Sequence, residues 1–224
     1  MPPNLNSLKL GARGQSIKRA FSTKYLGVIP DEDLSWREHI TEIKQKLVKL
    51  RNSYKIIRHY VGENNKYKIY HAYTYSKLLY GIEVYGQANK TTMQPLQIQQ
   101  NRSIKVLFNK EPHMHTSELY KTLKLLQIRN MYNVQLAQFV YKHQNNLLPS
   151  IFEHYFTTIK AVHNHHTRSY NKLYIPNPIN EISKKSIKYM GANVWNSLPK
   201  DVHSQTSTLS TFKRKLKSHL ISVL

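Results

Sequence analysis

Between Trp36 and Val61 the apolar residues fall into two interleaved seven-residue rows. Trp36, Ile43, Leu50 and Ile57 form one, and Ile40, Leu47, Tyr54 and Val61 form the other. Alternating steps of three and four put all eight on one stripe of an α-helix. Ser35 and Glu38 have the S-x-x-E spacing of a capping box, which marks the expected start. Gly62 is the expected stop, since glycine accepts the left-handed conformation that closes a helix.

Ahead of that helix, residues 1–23 alternate weakly around Leu8, Leu10 and Ile17, predicting two short strands joined by a glycine turn. Lys24–Ile29 is expected to continue as a strand into the turn Pro30–Asp33. Beyond Gly62, helices are expected from about Asn64 to Tyr80 and from Met93 to Phe108, with Pro95 tolerated only in a first turn. Short connections make antiparallel neighbours the economical packing. Further helices are expected over Ser117–Leu125 and Arg129–Asn145, then a short turn at Ser150–Phe156. Pro176 and Pro178 exclude a helix in the stretch that follows, so 157–182 reads as an extended arm or irregular hairpin. A helical unit at 183–199, with Trp195 and Leu198 facing inward, and an amphipathic helix at Leu209–Leu224 end the chain. The fold class is mainly α: a small N-terminal β element (1–34), a three-helix bundle (35–110) and a helical C-terminal region (111–224).

Charge changes this picture. Lys and Arg outnumber Asp and Glu by 34 to 12 in 224 residues, a formal +22 spread along the whole chain. A polyanionic partner, nucleic acid above all, best explains a folded chain with that self-repulsion. Anionic membrane is the weaker rival, because there is no run of about 18 apolar residues, signal peptide or lipidation motif. Nucleus and cytoplasm both stay open. On the long helix, Arg37, Lys44, Arg51 and Arg58 also repeat every seven residues, with Lys55 nearby. Burying the apolar stripe would hold these cations along one edge at roughly one per 10 Å, from the helical rise. They are either a track for phosphates or an ordinary solvated face.

Candidate chemistry is sparse. Cysteine is absent, which removes disulfides and thiolate zinc sites. The 16 tyrosines offer rings for base stacking or for helix packing, and packing is the commoner use. Asp31 and Asp33 beside Pro30 read as a turn and cap rather than a metal site. His163, His165 and His166, near Arg168, lack the spacing of a zinc module and read as an exposed polar loop whose charge rises below about pH 6.5. No phosphate loop, nucleophile elbow or H-E-x-x-H motif occurs, and the carboxylates are scattered. No catalytic residue, metal ligand or cofactor is assigned.

Six short motifs in order carry a family resemblance. They are Tyr25-Leu26-Gly27 with Leu34, Trp36 and His39-Ile40; Leu79-Tyr80-Gly81; Ile98-Gln99 with Arg102 and Ile104; His166-Thr167-Arg168; Val194 to Pro199; and Phe212-Lys213. Together they resemble the reverse transcriptases of non-LTR retrotransposons, the LINE-like and jockey-like elements, in the part that follows the polymerase palm. The resemblance implies that Lys24, Tyr25, Leu26 and Gly27 form the primer grip. It implies that the bundle is a thumb whose Arg37, Lys44, Arg51, Lys55 and Arg58 follow an RNA–DNA hybrid, and that the C-terminal region, with Arg168, contacts RNA or DNA. The family's catalytic aspartates and their Mg lie upstream of the residues matched. The expectation is therefore a fragment that binds template-primer without polymerising alone, with the palm and fingers as a further partner. The alternative is a helical protein-interaction module or a domesticated nucleic-acid-binding protein.

Overall fold

The computed structural model describes residues 10–12, 15–17, 19–162, 170–202 and 208–223. Helices dominate, as the periodicity requires. Strand β1 (Leu10–Ala12) pairs antiparallel with β2 (Gln15–Ile17), Leu10 opposite Ile17. Lys24–Ile29 departs from the expected strand. Tyr25 bridges Val28 and Ser22 bridges Asp31, so the chain doubles back at Leu26-Gly27, both with positive φ.

Helix α1 (Arg37–Ile57) buries Ile40, Ile43, Leu47 and Tyr54, as the stripe predicts. Burying a side chain such as Leu47 stabilises the fold by about 2 kcal/mol. Its start is not the expected capping box. Trp36 takes the cap position with φ 63° and no side-chain cap bond. Ser35 is instead drawn to Asp31, whose carboxylate accepts from Ser35 N at 2.7 Å, Ser35 Oγ at 3.1 Å and Trp36 N at 2.7 Å. Gly62 does not close α1 either: the helix ends at Ile57, and Gly62, with φ −66°, caps the next helix.

Helix α2 (Glu63–Ile69), a π-helical stretch Tyr70–Tyr75 and α3 (Ser76–Leu79) make one continuous path, followed by α4 (Ile82–Tyr85). Helix α5 (Lys90–Leu107) starts three residues before expectation, so Pro95 sits in its second turn, where the missing N–H removes a ladder bond. The α2–α3 path returns antiparallel to α1, with Tyr54 bonded to Thr74 and Ile43 near Tyr80, so α5 runs beside α1 in the same sense.

Helices α6 (Thr116–Leu123) and α7 (Ile128–Gln144) follow, then a 3-10 turn at Ser150–Phe152 and the short α8 (Ile159–Val162). Of the stretch expected as an extended arm or irregular hairpin, the described residues 157–162 and 170–182 carry the short α8 and the first two residues of a further helix that starts at Glu181. Thr158 bridges Leu173, and Asn196 clasps the Leu173 backbone through N–H and C=O at 3.0 and 2.8 Å. Helices α9 (Glu181–Lys184), α10 (Ile187–Ser197) and α11 (Leu209–Ser222) complete the chain.

The largest core joins Trp36, Ile40, Ile43 and Leu47 of α1 to Leu78, Leu96, Met131, Leu136, Phe212 and Leu216, so it crosses from the first three helices into the last ones. Phe212 stacks on Tyr141 with ring centres 4.5 Å apart, docking the amphipathic α11 on α7. A second core gathers Tyr54, Tyr70, Ile104, Leu107 and Tyr120. No helix among the described residues is long and apolar enough to cross a membrane.

Candidate nucleic-acid interface

Because the apolar stripe of α1 is fixed in the core, its basic row must fall along the edge that faces α5. Arg37 and Lys44 border one part of the α1–α5 groove with Thr91, Thr92 and Pro95. Arg51, Lys55 and Arg58 border a deeper part of about 710 Å³, where α5 presents Arg102 and Lys105 and the following loop presents Lys110. The row is thus one wall of a groove whose other wall is also basic.

Its side chains are oriented but not neutralised. Arg51 Nη1 donates to Gln99 Oε1 at 2.8 Å, which pins the guanidinium against α5. Arg58 Nε donates to His59 Nε2 at 3.0 Å, and Lys105 Nζ donates to the Pro112 carbonyl at 2.6 Å. Among the described residues, Arg37, Lys44, Arg51, Lys55, Arg58, Arg102, Lys105 and Lys110 take part in no ion pair. The acids of α1 lie elsewhere: Lys46 and Lys24 both bind Glu42, and these contacts hold its carboxyl below its ordinary pKa, outweighing the opposing effect of burial. Among the described residues, Glu111 is the one carboxylate in the groove's lining.

The primer-grip candidates occupy another face of α1. Tyr25 and Val28 exchange backbone hydrogen bonds of 2.8 and 2.9 Å across Leu26-Gly27, a two-residue turn with the positive φ values that tight hairpins need. Tyr80 donates its hydroxyl proton to the Leu26 carbonyl. A Cβ on Gly27 would stand 3.2 Å from the Tyr80 ring, and one on Gly81 3.1 Å from Val28 Cγ2, so the Tyr-Leu-Gly and Leu-Tyr-Gly motifs interlock. Tyr25 and Leu26 point outward, 69% and 73% exposed, while Lys24 Nζ sits 3.5 Å from Glu42. Gly27 borders a cleft with His39, Ile43 and Lys46, the side of α1 turned away from the basic row.

The fold therefore brings Arg37, Lys44, Arg51, Lys55 and Arg58 together and leaves Lys24, Tyr25, Leu26 and Gly27 apart from them. Arg168 and the histidines at 163, 165 and 166 lie outside the described residues. Arg102, Lys105 and Lys110 were missed as site residues. Arg102 and Lys105 stand one turn apart, flanking buried Ile104, but nothing in the sequence says that this face turns toward α1. Among the described residues no three His, Cys, Asp or Glu side chains gather closely enough to hold a metal ion.

Two walls of unpaired cations suit phosphates. Over 118 residues, 51% of this chain, it is 29% identical to the RNA-directed DNA polymerase from mobile element jockey of Drosophila funebris. The chain resembles retrotransposon RNA-directed DNA polymerases. The jockey polymerase of Drosophila melanogaster is 30% identical over 115 residues, 50% of the chain. The probable RNA-directed DNA polymerase from transposon X-element of the same species is 25% identical over 136 residues, 58% of the chain. The chain spans only 13 to 15% of the length of these relatives. No family model matches, and no solved structure matches.

Proposed function

We propose that this chain is a nucleic-acid-binding segment of a non-LTR retrotransposon RNA-directed DNA polymerase, holding RNA–DNA hybrid in the α1–α5 groove as a thumb and leaving polymerisation to catalytic residues elsewhere. The observation that carries this reading is the groove with unpaired cations on both walls, in a chain similar to such polymerases. No aromatic ring lines either described part of the groove, so the grip falls on phosphate and sugar and is indifferent to sequence. The Lys24–Gly27 turn, on the far face, is a separate contact of the same polymerase, presenting Tyr25 and Leu26 outward.

Fluorescence anisotropy on an RNA–DNA hybrid across a salt series tests this. Lys44→Glu with Arg51→Glu is expected to weaken binding at least about tenfold and to flatten the salt dependence by roughly 0.9 in log–log slope for each phosphate no longer held. Lys213→Glu with Arg214→Glu, exposed on α11, should cost less than about threefold, since it removes only long-range attraction. Equal weakening by the two pairs would reduce the groove to diffuse charge. Primer extension with template and Mg should give no product from this chain alone.

A further inference from the structure

A second cavity, of about 680 Å³, opens where the first turns of α5 and α7 meet α9 and α10. Its volume is that of a small-ligand pocket. Met93, Ile128 and Met190 give it an apolar floor, and thioethers adapt to flat or irregular shapes. Five carboxamides line it: Gln97 is taken up by Gln100, Asn101, Tyr120 and the Ile128 N–H, while those of Gln87, Asn89, Gln94 and Gln127 have no hydrogen-bond partner among the described residues. Lys90, Arg129 and Lys185 stand at its edge with no carboxylate among the lining residues, and the Arg129 guanidinium rests 5.5 Å from the centre of the Tyr132 ring. Lys184 also lines it but is paired with Glu181.

An apolar floor, carboxamides that no protein group engages and cations around the opening describe a nucleotide. Carboxamides pair with base edges, methionines accept the face of a base, and cations hold the flanking phosphates. We infer that this cavity takes one unpaired nucleotide of a nucleic-acid strand, with its base over Met93 and Met190 and its phosphates against Lys90, Arg129 and Lys185. Three cations around one opening serve more than a single phosphate, which favours a strand over a free nucleotide. The occupant is of the class proposed for the α1–α5 groove, but the two sites share no lining residue.

The test is NMR of the full chain with carbon-13-labelled methionine methyls, titrated with tetra-adenylate RNA, an abasic ribose-phosphate tetramer, adenosine monophosphate and an acidic amphipathic peptide. Tetra-adenylate should shift the Met93 and Met190 signals and leave that of Met131, buried in the core, in place. The abasic tetramer should move neither cavity signal. Arg129→Gln and Gln94→Leu should each weaken the effect about tenfold, with undisturbed Met131 showing that the variants fold. Equal shifts from the abasic tetramer, tighter binding of the mononucleotide, or shifts from the peptide alone would overturn the inference. The groove variant Arg51→Glu with Arg102→Glu should leave the cavity shifts within about twofold while abolishing hybrid binding, so each reading can fail without the other.

Discussion

The carboxylate of Asp31 accepts the Ser35 N–H, the Ser35 hydroxyl and the Trp36 N–H, and so turns the chain into α1 where a capping side chain would normally stand. Burial works to raise its pKa, but the bonds from Ser35 and Trp36 outweigh that and hold it below its ordinary 3.8. A carboxyl depressed in the folded state contributes stability above its unfolded pKa, and that contribution disappears as pH falls through the folded value. Asp31→Ala should therefore lower the unfolding free energy at pH 7 by about 1 kcal/mol, the usual cost of losing a cap. The gap between urea titrations of the two proteins should begin to narrow near pH 4, about the unfolded pKa, and close once the pH is below the lowered folded value, where the wild-type carboxyl is protonated in both states. A constant gap down to pH 2 would mean that Asp31 acts through shape alone. Gly27 and Gly81 constrain the adjoining joint differently: each combines positive φ with a near contact, so a side chain there would meet both backbone strain and Tyr80 or Val28.

Among elements, the α1 stripe was legible because two interleaved heptads leave little freedom about which face is buried. Its start was not, because the group that captures Ser35 lies four residues upstream, outside the spacing that a capping box samples. Lys24–Ile29 has the composition of a strand, yet Tyr80 offers a hydroxyl to the Leu26 carbonyl and the chain turns to meet it, a contact 54 residues away in sequence. One wall of the groove could be read from α1, while the facing cations of α5 depended on how two helices pack. Tyrosines tie these elements together: Tyr70 accepts from Gln100 Nε2 at 2.9 Å, Tyr120 donates to Asn101 at 2.7 Å, and Tyr54 bonds Thr74 at 2.8 Å. Burial raises the pKa of Tyr54, Tyr70, Tyr85 and Tyr120, and pushes Tyr132 up to about 12 against the opposing charge of Arg129. Raised values favour the neutral phenol in the folded state, so this stability is complete below the unfolded pKa of about 10 and is lost as pH climbs through the folded values. In an alkaline titration the phenolate absorbance of these buried rings should appear together with loss of helical circular dichroism. Ionisation of every tyrosine while helicity persists would contradict the packing that joins the helices.

For the whole molecule the governing quantity is the formal charge of +22, spread along the chain. Among the described residues the ion pairs Arg19–Glu32, Lys24 and Lys46 with Glu42, Lys66–Glu63 and Lys184–Glu181 involve none of the groove's cations. A chain folded on those terms repels itself, and added salt screens the repulsion, the Debye length shrinking from about 30 Å at 0.01 M to about 10 Å at 0.1 M. The free protein should therefore melt higher as NaCl rises from 20 to 300 mM. A gain on the order of 1 kcal/mol would appear as roughly 2 to 4 °C for a chain of this size. The complex with RNA–DNA hybrid should behave oppositely, because binding stabilises the fold in proportion to ligand occupancy and salt drives the hybrid off. Two thermal series, with and without hybrid, should converge near 300 mM NaCl. If the free protein instead loses stability with salt, its cations are held by attractive contacts within the fold, and they are not available to a phosphate backbone.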